Sequence, residues 1–299
     1  ARFDDRITNT PALFAPKARI IHIDVDPASI SKIINADIPI VGQVKDSIAA
    51  LIKEIKRSKL KIDSDALDSW NSQISTWRVK HGLDHELYLK KTKSKMILPQ
   101  VVVQELYQAT DGNAWVTSDV GQHQMFVAQY YHFNKPRRWI NSGGLGTMGF
   151  GLPAAMGAKL AYPKDEVVCV TGEGSIQMCI QELSTCLQYN LPIKIININN
   201  EALGMVRQWQ DMNYGGRHSA STYADSLPDF VKLAESYGHV GMKVTKQSQL
   251  RKTLDKAFAM KDRLVFVDVY VDPNEHVYPM LVAPSGSMKD MWIKKNTKA

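Results

Sequence analysis

The feature that most limits what this chain can fold into is the rhythm between residues 98 and 273. Short β-branched apolar runs alternate with longer stretches of helical character: helix 100–110, strand 114–118, helix 122–131, strand 138–141, helix 150–161, strand 167–171, helix 175–189, strand 193–199, helix 227–237 and strand 264–271. Strands separated by helices are joined by crossovers, not by tight turns. The pattern therefore predicts an α/β domain built on a doubly wound parallel sheet. Ligands of such sheets sit at the carboxyl ends of the strands, so the loops that follow them are where chemistry should concentrate.

Ahead of this domain lies a shorter passage of the same kind. Residues 18–26 read as a strand ending in acids, 27–34 as a helix-like stretch and 38–41 as a second strand. This is strand-helix-strand without a beginning, and it reads as the tail of a second α/β domain over residues 1–55. Residues 56–97 are charged and helix-prone and read as a linker containing helices; 274–299 read as a tail covering the site. The opening Ala1-Arg2-Phe3-Asp4-Asp5-Arg6, without an initiator Met, is expected to be the interior of a longer polypeptide.

Composition excludes several classes. No run approaches the roughly 18 apolar residues of a membrane span. The formal charge of +7 is dispersed apart from Lys90-Lys91-Thr92-Lys93-Ser94-Lys95, which reads as solvated linker. A basic balance without a reading element gives only nonspecific attraction, so no nucleic-acid partner is expected. Cys169, Cys179 and Cys186 lie in apolar segments, lack metal-ligand spacing and cannot all pair, which predicts reduced core thiols in a cytoplasmic protein.

The most informative segment is 167–200. Strand Val167-Val168-Cys169-Val170 enters Thr171-Gly172-Glu173-Gly174-Ser175, and a helix is expected next, with Ile176, Ile180, Leu183 and Leu187 on one stripe. Glycines flanking an acid let the backbone turn closely around an anion, and a helix N-terminus offers it unpaired N–H groups. Strand 193–198 then ends in Asn199-Asn200, so a carboxylate and an amide oxygen emerge at one edge of the sheet. Oxygen ligands of this kind suit magnesium. Gly172-Glu173-Gly174, followed after residues 175–198 by Asn199-Asn200, resembles the signature of thiamine-diphosphate enzymes. The resemblance implies that Glu173, Asn200 and the carbonyl of Ala202 hold the metal, with Gly174 and Ser175 at the cofactor. Where the family usually has Asp, this chain has Glu173, whose extra methylene carries the carboxylate outward.

Three further segments are similar to the acetolactate synthase family of these enzymes. Ser118-Asp119-Val120-Gly121-Gln122-His123-Gln124-Met125 resembles the loop whose Gln and His meet the cofactor diphosphate, implying roles for Gln122 and His123. Asn141-Ser142-Gly143-Gly144-Leu145-Gly146-Thr147-Met148-Gly149-Phe150-Gly151 resembles the segment that grips the aminopyrimidine, implying roles for Gly146, Thr147 and Met148. Leu203-Gly204-Met205-Val206-Arg207-Gln208-Trp209-Gln210 resembles the substrate loop. There Leu203, Gly204 and Met205 touch the cofactor, while Met205 and Trp209, four apart on a helical turn, face the substrate. Glu275 to Met280 and Pro284-Ser285-Gly286 resemble a C-terminal segment that folds over the site. Arg2, Phe3, Asp4, Asp5, Arg6, Asp24 and Val25 resemble FAD-contacting stretches of the middle domain, although Gly42-Gln43 stands where relatives commonly carry Gly-Asp.

Together the resemblance implies an acetolactate synthase catalytic chain that uses thiamine diphosphate, Mg2+ and FAD. The reaction would be decarboxylation of pyruvate and condensation with a second 2-keto acid, in a homodimer or tetramer with a small regulatory subunit. The family's activating glutamate belongs to an N-terminal domain that no segment here matches, so no catalytic base is assigned. Other readings stay open: a noncatalytic cofactor-binding fragment, a related thiamine enzyme such as pyruvate oxidase or glyoxylate carboligase, and a nicotinamide oxidoreductase. The last rests on Gly144-Leu145-Gly146-Thr147-Met148-Gly149, which satisfies the dinucleotide fingerprint with Asp165 or Glu166 as the ribose acid.

Overall fold

The computed structural model describes residues 3–80, 94–223, 226–281, 290–294 and 297–298. The chain divides into two compact units, residues 1–90 with 278–299, and residues 91–277.

In the first unit, helix α1 (Asp5–Thr8) precedes β1 (Ile21–Asp24), which pairs in parallel with β2 (Ile38–Val41). Two helices follow, α2 (Val44–Ser58) and α3 (Ser64–Lys80), so α2 runs past the boundary expected at residue 55. Between the strands, the Asp26 carboxylate accepts from the Ala28 N–H and caps a short 3-10 turn that begins at Pro27. Two short antiparallel strands, Trp292–Lys294 and Thr297–Lys298, complete the unit.

The second unit holds the parallel sheet that the rhythm predicts. Its strands are β3 (Trp115–Ser118), β4 (Trp139–Asn141), β5 (Val167–Thr171), β6 (Lys194–Asn199), β7 (Val240–Val244) and β8 (Val265–Tyr270). Their spatial order is β4-β3-β5-β6-β8-β7, and every pairing is parallel. From β3 the chain steps outward to β4 and then returns to the other side of β3, which makes the gap between β3 and β5 the switch point of the sheet.

Alternation along the strands separates two layers of core. Trp115, Val167, Cys169, Ile193, Ile195, Leu264 and Phe266 join one cluster with Leu152, Leu183, Phe230 and Ala234. On the other face α4 (Pro99–Thr110) packs against α5 (Gln122–Tyr130) and against α11 (Gln247–Ala259). All three cysteines are free and buried, and burial pushes the Cys179 and Cys186 thiols up to about 12. No helix among the described residues is long and apolar enough to cross a membrane.

Two features differ from the sequence expectation. The single helix expected over 175–189 is two helices, α7 (Glu173–Ile176) and α8 (Glu182–Gln188). Tighter i to i+3 bonds take over between them, from Met178 N–H to the Ser175 carbonyl and from Cys179 N–H to the Ile176 carbonyl. Consequently Ile176 and Leu183 are buried but Leu187 is exposed, so the four-residue stripe does not survive. The sequence reading also passed over β7 and α11. Gly241 and Lys243 interrupt β7, an edge strand, whereas α11 carries a legible stripe in Leu250, Leu254, Ala257 and Phe258, all buried.

Candidate functional site

The carboxyl ends of β3, β5 and β6 gather a dense group of buried polar side chains, among them Ser118, Asp119, Gln122, His123, Glu173 and Asn200. After β5 the chain turns through Gly172 into α7, and Glu173 is buried at 1% exposure. One of its oxygens accepts from the Ala202 N–H at 2.8 Å, while the Asn200 Oδ1 accepts from the same N–H at 3.3 Å. The acid of one strand end and the amide oxygen of the next therefore converge on one point. Burial pushes the Glu173 carboxyl up to about 8, so without a cation it is held protonated at neutral pH. A buried carboxyl beside an amide oxygen is an oxygen donor set that suits a hard divalent cation, which would favour its ionised form.

Asn199, the first of the pair, has another task. Its Nδ2 and that of Asn197 both donate to the Asp268 carboxylate on β8, at 3.1 and 2.8 Å, and its Oδ1 accepts from the Glu201 N–H. It locks the turn that carries Asn200. Asn200 Nδ2 donates to Gln122 Oε1 at 3.0 Å, which joins the β6 turn to the loop after β3.

The loop after β3 places Gln122 and His123 at the start of α5, both buried. The His123 ring lies between two glycines: a Cβ on Gly121 would come within 3.0 Å of its Cε1, and one on Gly172 within 2.9 Å of its Nδ1. Burial lowers this imidazole to about 4, so it is neutral at physiological pH, and its Nε2 has no hydrogen-bond partner among the described residues. Ser175 Oγ donates to the Val120 carbonyl at 3.1 Å and ties the β3 and β5 loops together. Gly174 also admits a close neighbour, since a Cβ there would lie 2.2 Å from the Tyr223 hydroxyl oxygen and 2.9 Å from Leu203 Cδ2.

The loop after β4 is exposed at Gly146 and Thr147 and half-buried at Met148. Gly146, with φ near +66°, adopts a backbone that favours glycine. The loop is anchored from beneath by Asp119, a residue the sequence reading gave no role. Its fully buried carboxylate accepts from Val120, Gly149 and Gly151 N–H groups at 2.8, 2.9 and 3.0 Å. The helix α6 (Gly151–Ala161) starts from this anchor. The dinucleotide reading of the same glycines loses its acid. Asp165 stands before β5, at the amino edge of the sheet, where its carboxylate accepts from Trp115 Nε1 and Arg138 Nη1 at 2.9 Å each.

Helix α9 (Gly204–Asn213) follows the Asn pair. Met205 and Trp209 are both half-buried on it, four residues apart. Between them Gln208 is buried and bonded to Gln122 and to the backbone of Val277. The sequence reading missed Gln208, whose partner Val277 lies 69 residues away and is brought near only by the fold. Asp211, one turn on, holds His218 Nε2 at 2.7 Å and His276 Nε2 at 2.8 Å.

The residues expected at a flavin belong to the first unit. Phe3 meets His22 edge to face with ring centroids 5.0 Å apart, the Asp4 carbonyl accepts from Ile7 and Thr8 N–H, and Asp24 accepts from the Asp26 N–H. Val25 is exposed. Arg2 lies outside the described residues, as do the side chains of Asp5 and Arg6 and the segment Pro284-Ser285-Gly286.

Comparison with known proteins adds the following. Residues 119–269 match the family described as thiamine pyrophosphate enzyme, C-terminal TPP binding domain, and residues 1–51 match the central domain of thiamine pyrophosphate enzymes. The chain is 54% identical over 299 residues to the acetolactate synthase isozyme 3 large subunit of Escherichia coli (strain K12), covering 99% of the chain and 51% of the relative. It is 55% identical over 296 residues to the acetolactate synthase large subunit of Buchnera aphidicola subsp. Schizaphis graminum, covering 98% and 50%. An acetolactate synthase of Mycobacterium bovis is 41% identical over 288 residues, with 94% and 45% covered. The chain spans about half the length of the curated relatives it matches.

Proposed function

Because the chain belongs to the thiamine pyrophosphate enzyme family, we propose that it binds thiamine diphosphate through a divalent cation and forms part of an acetolactate synthase catalytic subunit. The observation that carries this reading is the convergence of the Glu173 and Asn200 oxygens on the Ala202 N–H, beside a glycine-flanked turn at the switch point of the sheet. When bound, thiamine diphosphate supplies the electron sink for decarboxylating a 2-keto acid such as pyruvate and joining the remainder to a second one, giving 2-acetolactate or 2-aceto-2-hydroxybutyrate on the route to branched-chain amino acids.

This chain's part is orientation and electrostatics. Glu173, Asn200 and the Ala202 carbonyl hold Mg2+, and the turn at Gly174 and Ser175 presents backbone N–H groups to the diphosphate. Neutral His123 and Gln122 bring further hydrogen-bonding groups to its other side. Gly146, Thr147 and Met148 would hold the aminopyrimidine, and Leu203, Gly204 and Met205 would contact the cofactor. Met205 and Trp209 form the apolar surface against which the second keto acid is sorted. FAD is assigned to the first unit around Phe3, Asp4, Asp24 and Val25, where Asp24 and Asp26 supply acids and Gln43 does not. Relatives named as large subunits support a smaller regulatory partner and a homo-oligomer of the catalytic chain. Free, buried cysteines support a reducing, cytoplasmic setting.

The test is calorimetric titration with thiamine diphosphate, with and without magnesium. We expect tight binding only with the cation present; equal affinity in both conditions would reject the metal-bridged reading.

A further inference from the structure

We propose that Gln208 is a positioning residue which decides, through Gln122, that Asn200 turns its oxygen and not its NH2 group toward the cation; this rests on the metal assignment above. An Asn side chain is nearly symmetric in shape, and only its oxygen can ligate a cation. The Ala202 N–H, 3.3 Å from Oδ1, favours the oxygen on that side only through a long bond shared with Glu173, so the NH2 side must fix the choice. Asn200 Nδ2 donates to Gln122 Oε1 at 3.0 Å, which leaves Oδ1 on the side of Glu173 and Ala202. Gln122, however, is an amide of the same ambiguity. Its orientation is set in turn because its Nε2 donates to Gln208 Oε1 at 2.8 Å.

The series ends at a group that cannot flip. Gln208 Oε1 accepts from the Val277 N–H and its Nε2 donates to the Val277 carbonyl, both at 2.9 Å. A backbone amide has fixed polarity, so the direction chosen at Val277 passes through Gln208 and Gln122 to Asn200. All three side chains are buried, which removes water as an alternative partner and makes a reversed amide costly. Gly204 leaves room for the relay: a Cβ there would stand 2.2 Å from Gln122 Oε1 and 2.5 Å from Asn200 Nδ2, on top of their hydrogen bond. Residues outside the ligand set that orient a ligand are worth roughly 10- to 100-fold in metal affinity.

Two variants of the complete polypeptide separate this role from packing. Gln208→Met keeps the volume and removes the polar contacts, whereas Gln208→Glu keeps an acceptor for Gln122 and Val277 N–H and, in its protonated form, a donor for the Val277 carbonyl. Magnesium titration in the presence of thiamine diphosphate should weaken at least about tenfold for Gln208→Met and stay near wild type for Gln208→Glu. A packing role gives the opposite order, because an apolar side chain is tolerated in the interior better than a buried charge. The double variant Gln122→Met with Gln208→Met should bind the cation no more weakly than Gln122→Met alone; additive losses would overturn the relay. Thermal unfolding of each variant identifies a loss of fold. Cation-independent cofactor binding in the wild type overturns the metal assignment and this proposal together, while cation-dependent binding left intact by Gln208→Met overturns the proposal alone.

Discussion

The two edges of the parallel sheet handle buried charge in opposite ways. At the amino edge the charges close on one another or on backbone. Lys159 Nζ donates to the Asp165 carbonyl at 2.7 Å and Lys194 Nζ to the Arg263 carbonyl at 3.2 Å, while Arg138 pairs with Asp165 and lies 4.2 Å over the Trp115 ring. At the carboxyl edge acids and amide oxygens crowd together without a cationic side chain bonded to them among the described residues: Glu173 and Asp119 accept from backbone N–H groups, and Asp268 accepts from two asparagines. The first edge is complete as folded. On the reading proposed above, the second is completed by a positive charge from outside, and that asymmetry is what points to it as the functional edge.

The strongest way to break this comparison is Glu173→Ala. It should abolish cation-dependent cofactor binding, a loss of several orders of magnitude in calorimetry. If binding survives, the carboxyl edge owes nothing to a cation. Next comes Gly174→Ala, which sets a methyl 2.2 Å from the Tyr223 oxygen. Cofactor affinity should fall at least about tenfold, and adding Tyr223→Phe should recover part of it, because the ring carbon that remains stands 3.4 Å away. No recovery in the double variant would place the damage in the turn itself.

Trp209→Leu sharpens the comparison within the carboxyl edge by separating binding of the cofactor from choice of substrate. The two candidate second substrates, pyruvate and 2-ketobutyrate, differ by one methylene, and an apolar pocket turns that into roughly 10- to 200-fold in rate ratio at most. A competition assay should show preference for 2-ketobutyrate collapsing while acetolactate formation is much less affected. An unchanged product ratio with lower stability would return Trp209 to the core. The smallest effect belongs to the amino edge. Burial lowers the Lys194 ammonium to about 8, below its ordinary value near 10.4, so the unfolded chain binds more protons between those values and stability rises with pH across that window. Lys194→Met should therefore stabilise by about 1 kcal/mol at pH 7, with the gain shrinking through pH 8–10 and cofactor affinity untouched. A drop in affinity would mean that the two edges are coupled.

Much of this was legible in the sequence, for identifiable reasons. Strands such as Val167-Val168-Cys169-Val170 are buried on both faces and read as continuous apolar runs, so the parallel sheet could be inferred from them. Glu173 and Asn200 were legible because glycines and a second Asn bracket them. The edge strand β7 was not, since one edge and a Gly241 backbone approach leave it little reason to be apolar. Asp119 and Gln208 escaped for another reason: each acts on backbone far away in sequence, at Gly149 and Gly151 or at Val277, and no local pattern announces a partner that only the fold brings near.

The three N–H groups gathered by the Asp119 carboxylate carry a consequence for length. By fastening the loop after β4 to the loop after β3, that one side chain would, on the reading proposed above, set the spacing between the groups offered to a cofactor's charged end and those offered to its ring. The pair behaves as a caliper of fixed opening. A molecule with the same two ends and one more atom in its bridge would seat one end and leave the other adrift.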